Sequence, residues 1–178
     1  MLRKLAQTMV RRMFPRVVLL AILVCPGCVF AAEELPRRAI TPGAINTQVN
    51  QRNIENTICK KGWTKTMRPP ASFTSGIKQI KMRQYGYAIG EIDNFELDHL
   101  VPLSIGGAPE DPNNLWPQPR TRNWTAADKD ALEKSLQRQV CDGKVPLVEV
   151  QRAVMTDWIA AYKKYMSERS KKNRADVD

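Results

Sequence analysis

The sequence predicts an α+β domain, and three observations carry that expectation. Residues 95–140 read as strand, loop, strand and helix; helical periodicity flanks that unit on both sides; and 178 residues suffice for one ordinary domain and little more. Apolar residues make up 43% and charged residues 26%, a soluble globular balance that excludes a disordered or fibrous chain. Lys and Arg number 28 against 18 Asp and Glu, a net charge of +10. The chain has a single histidine, His99. Any zinc site built on two or three imidazoles is therefore excluded, and imidazole chemistry, if present, falls on that residue alone.

The first element is an address. Arg3, Lys4, Arg11, Arg12 and Arg16 precede an apolar run, Val17 to Phe30, that exits into Ala31 and Ala32. Charged start, short apolar middle and small-residue exit are the parts of a secretory signal peptide, read here as residues 1–31. An uncleaved N-terminal anchor is the alternative, although a comfortable membrane span needs about 20 apolar residues. Cleavage removes five of the 28 basic residues and none of the 18 acids, so the net charge falls from +10 to +5. The expected location is secreted or periplasmic, with no membrane attachment after cleavage. Cys25 and Cys28 leave with the signal, which makes their CxxC spacing accidental. Cys59 and Cys141 remain, an even pair in an oxidising compartment, and a disulfide between them is expected; two buried free thiols are the alternative. Closing so long a loop stabilises by roughly 4 kcal/mol in the chain-entropy account.

Along the mature chain, residues 32–50 read as a linker or loose arm, with Pro36, Pro42 and Gly43 and little periodicity. A single domain over 51–166 follows, and 167–178 is a charged tail expected to fray. Gln48 to Cys59 can form a short helix with Val49, Ile54 and Ile58 as its apolar positions. Trp63 to Pro70, after Gly62 and ending in Pro69-Pro70, reads as extended. Thr74 or Ser75 can cap a helix running to about Gln84, and Tyr85 to Gly90 is rich in turn residues. Phe95 to Val101 is a plausible strand, and Asn114-Leu115-Trp116 a second one beyond the loop of Gly106, Gly107, Pro109 and Pro112. Thr125 with Asp128 three residues later opens a helix whose apolar stripe is Ala131, Leu132, Leu136 and Val140. Pro146 suits the first turn of a final helix, with Val150, Val154, Trp158 and Tyr162 on its buried face.

The chemistry concentrates in FELDHLVPLSIGGAPEDPNNLWPQPRTRNW, residues 95–124. The histidine follows an aspartate at a strand end, a Pro and a Gly pair come next, then Asn114, then Asn123 nine residues on. This stretch resembles the core of the HNH, or ββα-metal, endonuclease family, closely over about 30 residues and onward through the helix to about residue 140. The flanking GWTKTMRPP and NLWPQP segments are similar to those of small secreted bacterial HNH proteins. The resemblance implies a ββα-metal core of two short antiparallel strands and a helix over 95–140, with additional flanking helices.

The residue types suit phosphodiester hydrolysis. Neutral imidazole is tuned to take a proton from water near pH 7. A divalent cation stabilises the crowded phosphorus centre and the departing alkoxide, and hard cations take oxygen ligands. The resemblance assigns His99 as general base, Asp98 as metal ligand, Asn123 as the ligand from the second arm, and Asn114 as the brace of the loop. Thr125 and Asp128 are the alternatives to Asn123. The implied cofactor is a divalent metal, Mg2+ or else Mn2+, and the products would carry 5′-phosphate and 3′-hydroxyl ends. No CxxC pair survives in the mature chain to hold a structural zinc. Because adjacent strand residues face opposite ways, Asp98 and His99 can share one site only if the strand twists or ends there.

Arg120 and Arg122 are expected to grip phosphate, with Lys60, Lys61, Lys65 and Arg68 and then Lys78, Lys81 and Arg83 as further basic clusters; a solvated surface is the alternative for each. No base-reading motif is evident, so the expected partner is nucleic acid of little sequence preference, DNA favoured and RNA possible. Two other readings use the same residues: a binding module that holds nucleic acid or another polyanion without cutting, and a toxin, which would need an immunity partner.

Overall fold

The computed structural model describes residues 34–121 and 123–175, without the side chains of 167–175. The expected signal peptide and Arg122 lie outside the described residues. β1 (Phe95–His99) and β2 (Leu115–Pro119) form an antiparallel ribbon in which Phe95 faces Pro119 and His99 faces Leu115. The prolines at 117 and 119 fit because each strand of a two-stranded ribbon is an edge, where a missing N–H costs no ladder bond. The molecule is thus α+β, with a small sheet and helices around it.

Helix α1 is a single turn (Trp63–Thr66), α2 spans Ala71–Gln84, α3 Ala126–Cys141, α4 Leu147–Thr156 and α5 Trp158–Ala175. Pleat alternation sends Glu96, Asp98, Trp116 and Gln118 to one side of the ribbon. Asp98 on that side meets α3. Phe95 points the other way and stacks on Tyr87, just beyond α2. Trp116, Leu132, Leu136, Val140, Val150 and Trp158 are fully enclosed and join ribbon, α3, α4 and α5 in one core. Thr125 and Asp128 form the expected capping box, each satisfying the other's backbone N–H. A disulfide joins Cys59 to Cys141, with Cα atoms 5.6 Å apart.

Several expectations differ from what the structure contains. Gln48 to Cys59 is a series of turns around one 3-10 turn at Ile54–Asn56, not a helix. Asn50 and Asn53 accept bonds from nearby backbone N–H groups, and Thr57 donates to the Asn53 carbonyl, which competes with helical pairing. Val49, Ile54 and Ile58 are buried all the same. Trp63 to Thr66 is helical where an extended segment was expected, entered through Gly62 at φ +87. Helix α2 starts at Ala71 behind Pro70, and the hydroxyls of Thr74 and Ser75 bond to the Ala71 carbonyl from inside it. One expected final helix is two, divided at Asp157, and the second continues to Ala175 through the segment expected to fray.

The arm is not loose over its described part. Thr41 is buried and donates to the Leu115 carbonyl, Lys81 reaches the Ile40 carbonyl, and Ile45 bridges to Gly107. Among the described residues no helix is long and apolar enough to cross a membrane.

Candidate active site

His99 ends β1, and the chain then turns through Pro102 and the 3-10 turn Leu103–Ile105 into Gly106 and Gly107. Gly106 sits at φ +78, and a Cβ there would fall 2.8 Å from Val49. A Cβ on Gly107 would fall 1.8 Å from the Val101 carbonyl oxygen, so this crossing of the chain admits glycine alone.

Asn114 fills the space between. Its side-chain oxygen accepts from Val101 N at 2.8 Å and Ala44 N at 3.3 Å, while Nδ2 donates to Val101 O at 2.9 Å and Ala108 O at 3.0 Å. Its own carbonyl accepts from Leu100 N at 2.7 Å. One buried amide therefore holds the strand end, the loop and the arm together.

The loop delivers the Pro109 carbonyl to His99, with Nε2 at 2.8 Å. A carbonyl can only accept, so Nε2 carries the proton and the lone pair of the neutral ring lies on Nδ1. Nδ1 makes no hydrogen bond among the described residues. Burial pushes His99 below the usual imidazole value; Lys129 and Arg68 add to the fall, while the Pro109 carbonyl and Asp98 oppose it. The ring is thus neutral at pH 7, held at one nitrogen and basic at the other.

Asp98 points to α3. Its Oδ2 lies 2.6 Å from Nζ of Lys129, off the direction of a hydrogen bond, and the same ammonium donates to Glu133 Oε1 at 2.6 Å and to the His99 carbonyl at 2.7 Å. The Lys129 side chain is 1% exposed, those of Asp98 and Glu133 18% and 21%. Its pKa is raised, because the two carboxylates outweigh the desolvation that opposes them. Burial pushes Glu133 up to about 7 against the pull of Lys129, with Asp98 adding to the rise. One ammonium cannot neutralise two carboxylates.

The expected metal shell is not assembled from these residues. Asn123 is exposed and makes no hydrogen bond among the described residues. Of its alternatives, Asp128 gives Oδ2 to the N–H and hydroxyl of Thr125, so both serve the helix cap. Asp98 has committed one oxygen to Lys129. Among the described residues no three His, Cys, Asp or Glu side chains converge as a metal-holding group. The donor set does not fit a divalent ion, and no chemical step is assigned to one.

Arg120 sits just past the far end of the ribbon, opposite Asn94 and about 17 Å along the strand from His99. It is paired with Glu96 at 3.0 Å and bonded to the Phe95 carbonyl at 3.3 Å. Arg120, expected to grip phosphate, is thus engaged with the ribbon and set away from His99. The cation the fold does bring toward His99 is Arg68, an exposed residue of the segment between α1 and α2. Sequence reasoning named Arg68 only within a basic cluster and missed Lys129, although the stripe of Leu132, Leu136 and Val140 extends back to it at helical spacing. Compared with models of known families, with curated proteins and with solved structures, the chain matches none.

Proposed function

We propose that the chain is a secreted HNH-type endonuclease, a hydrolase of phosphodiester bonds in nucleic acid with little sequence preference, in which His99 is the general base. The observation that carries this reading is the histidine itself: Nε2 tied to the Pro109 carbonyl, Nδ1 bare, and the ring kept neutral by burial. In the reaction, Nδ1 takes a proton from water as its oxygen bonds to phosphorus. The P–O bond to the leaving sugar breaks, and the departing oxygen takes a proton from solvent. Arg68 supplies positive charge beside the phosphate, and Asn114 fixes the loop that holds the ring. Net basicity supports a polyanionic substrate, DNA before RNA.

The test incubates the chain from Ala32 onward with plasmid DNA and with RNA, in Mg2+, in Mn2+ and in EDTA, beside His99→Ala. Cleavage at least a hundredfold slower in the mutant is expected. A folded mutant that keeps more than a tenth of the rate excludes His99 as the base. Loss of cleavage in EDTA, restored by Mg2+, assigns a divalent ion to the reaction. Survival in EDTA assigns charge stabilisation to the chain's own cations. A folded protein that shifts DNA without cutting it is a binding module on the same scaffold.

A further inference from the structure

The Lys129 ammonium occupies the place where a bound cation would be sought. It lies between the aspartate that precedes His99 and a helix carboxylate, and it is sealed from solvent at 1% exposure. The ammonium donates to Glu133 Oε1 at 2.6 Å and to the His99 carbonyl at 2.7 Å, and Asp98 Oδ2 lies against it as an ion pair at 2.6 Å. The lysine therefore connects α3 to the backbone of the candidate base and to the carboxylate beside it. Glu133, one helical turn further on, steers the ammonium toward the ribbon. Too deep to touch a phosphate, Lys129 acts through its neighbours.

We infer that Lys129 is a positioning residue of the His99 site: it is the resident cation that Asp98 holds, and it locks the strand end so that the imidazole keeps its place against Pro109. This rests on the hydrolase reading for its kinetic consequence and on geometry alone for the rest. With Asp98 turned to an internal lysine, the carboxylate orders the site and does not recruit a divalent ion.

A chain with one histidine makes the test direct, since His99 gives the only imidazole resonances. The full mature chain, isotope-labelled at histidine, is titrated with Mn2+ as wild type and as Asp98→Asn, and paramagnetic broadening is followed. The wild-type resonances are expected to stay as sharp as those of Asp98→Asn. Broadening in the wild type that Asp98→Asn abolishes would make Asp98 a metal ligand and overturn the inference. Lys129→Met, with folding verified by circular dichroism, is expected to lower kcat more than tenfold with KM within twofold, and to move the His99 resonances. A folded Lys129→Met with wild-type kcat and unmoved resonances would also overturn it. If that variant does not fold, the Mn2+ comparison still decides. Cleavage that persists in His99→Ala excludes His99 as the base, and with it the kinetic consequence for Lys129, and leaves the Mn2+ result standing.

Discussion

Asn114 shows how much one side chain can hold. Replacing it by alanine leaves two carbonyls and two N–H groups of the loop without partners in a buried place, at about 1–3 kcal/mol for each group left unsatisfied. Asn114→Ala is expected to lose at least about 3 kcal/mol in urea denaturation, and an unchanged midpoint would contradict the bracing role. His99 makes a prediction about pH. Because its pKa is lowered and the neutral form is the base, the acid limb of kcat/KM should be centred below pH 6.5. An acid limb centred above 6.5 in a pH–rate profile would contradict the buried, neutral ring. At this scale the Asp98-His99 pair and Asn114 were legible, because residue type and spacing name them. Arg68 was legible only as one member of a basic cluster and Lys129 not at all, because their importance comes from contacts with segments about 30 residues from His99 in sequence.

Helix boundaries follow a different logic. Val150, Val154, Trp158 and Tyr162 recur every four residues, which suggests one helix. Each step of four overshoots a full turn by about 40°, so three steps would wind the stripe about 120° around a continuous helix. The break at Asp157 resets the face. Asp157 is extended at φ −165, and its side chain accepts from Ile159 N and Ala160 N, both at 2.9 Å, capping α5. Asp157→Ala should cost about 1 kcal/mol in urea denaturation, as loss of a cap does. On α3, Glu133 carries a linkage. Its pKa is about 7 when folded against an ordinary 4.5, so between those values the folded chain keeps a proton that the unfolded chain has released. That contribution is complete below pH 4.5 and is lost as pH rises through 7. His99, with its pKa lowered, works in the opposite sense, contributing stability that is present above 6.5 and lost as pH falls below it. Glu133→Gln isolates the first effect: from pH 5 to 8 its Tm should fall less than that of the wild type, and an equal fall would refute the assignment. Helices with sequence caps, such as α3, were legible; α1 and the start of α2 were not, since backbone position after Gly62 and Pro70 sets them without a side-chain cap.

For the molecule as a whole, the arm was the part least legible in advance. Residues 40–46 dock mainly by backbone hydrogen bonds, which leave no pattern of residue types to read. The cysteine pairing, by contrast, followed from arithmetic once the signal segment was set aside, and the structure contains that bond. Reduction should remove about 4 kcal/mol and lower Tm by on the order of 10 °C, read by thermal denaturation with and without dithiothreitol. The bond also closes a covalent ring that encloses the ribbon, the loop, His99, Asn114 and Lys129, with the arm and α4 and α5 hanging outside it. Under tension applied at the two ends, force would run across the sulfur bridge and bypass the ring. The 82-residue span between the cysteines, about 290 Å if fully drawn out, would add nothing to the extension until the bridge is cut. A stretched but oxidised chain thus keeps its candidate catalytic segment slack.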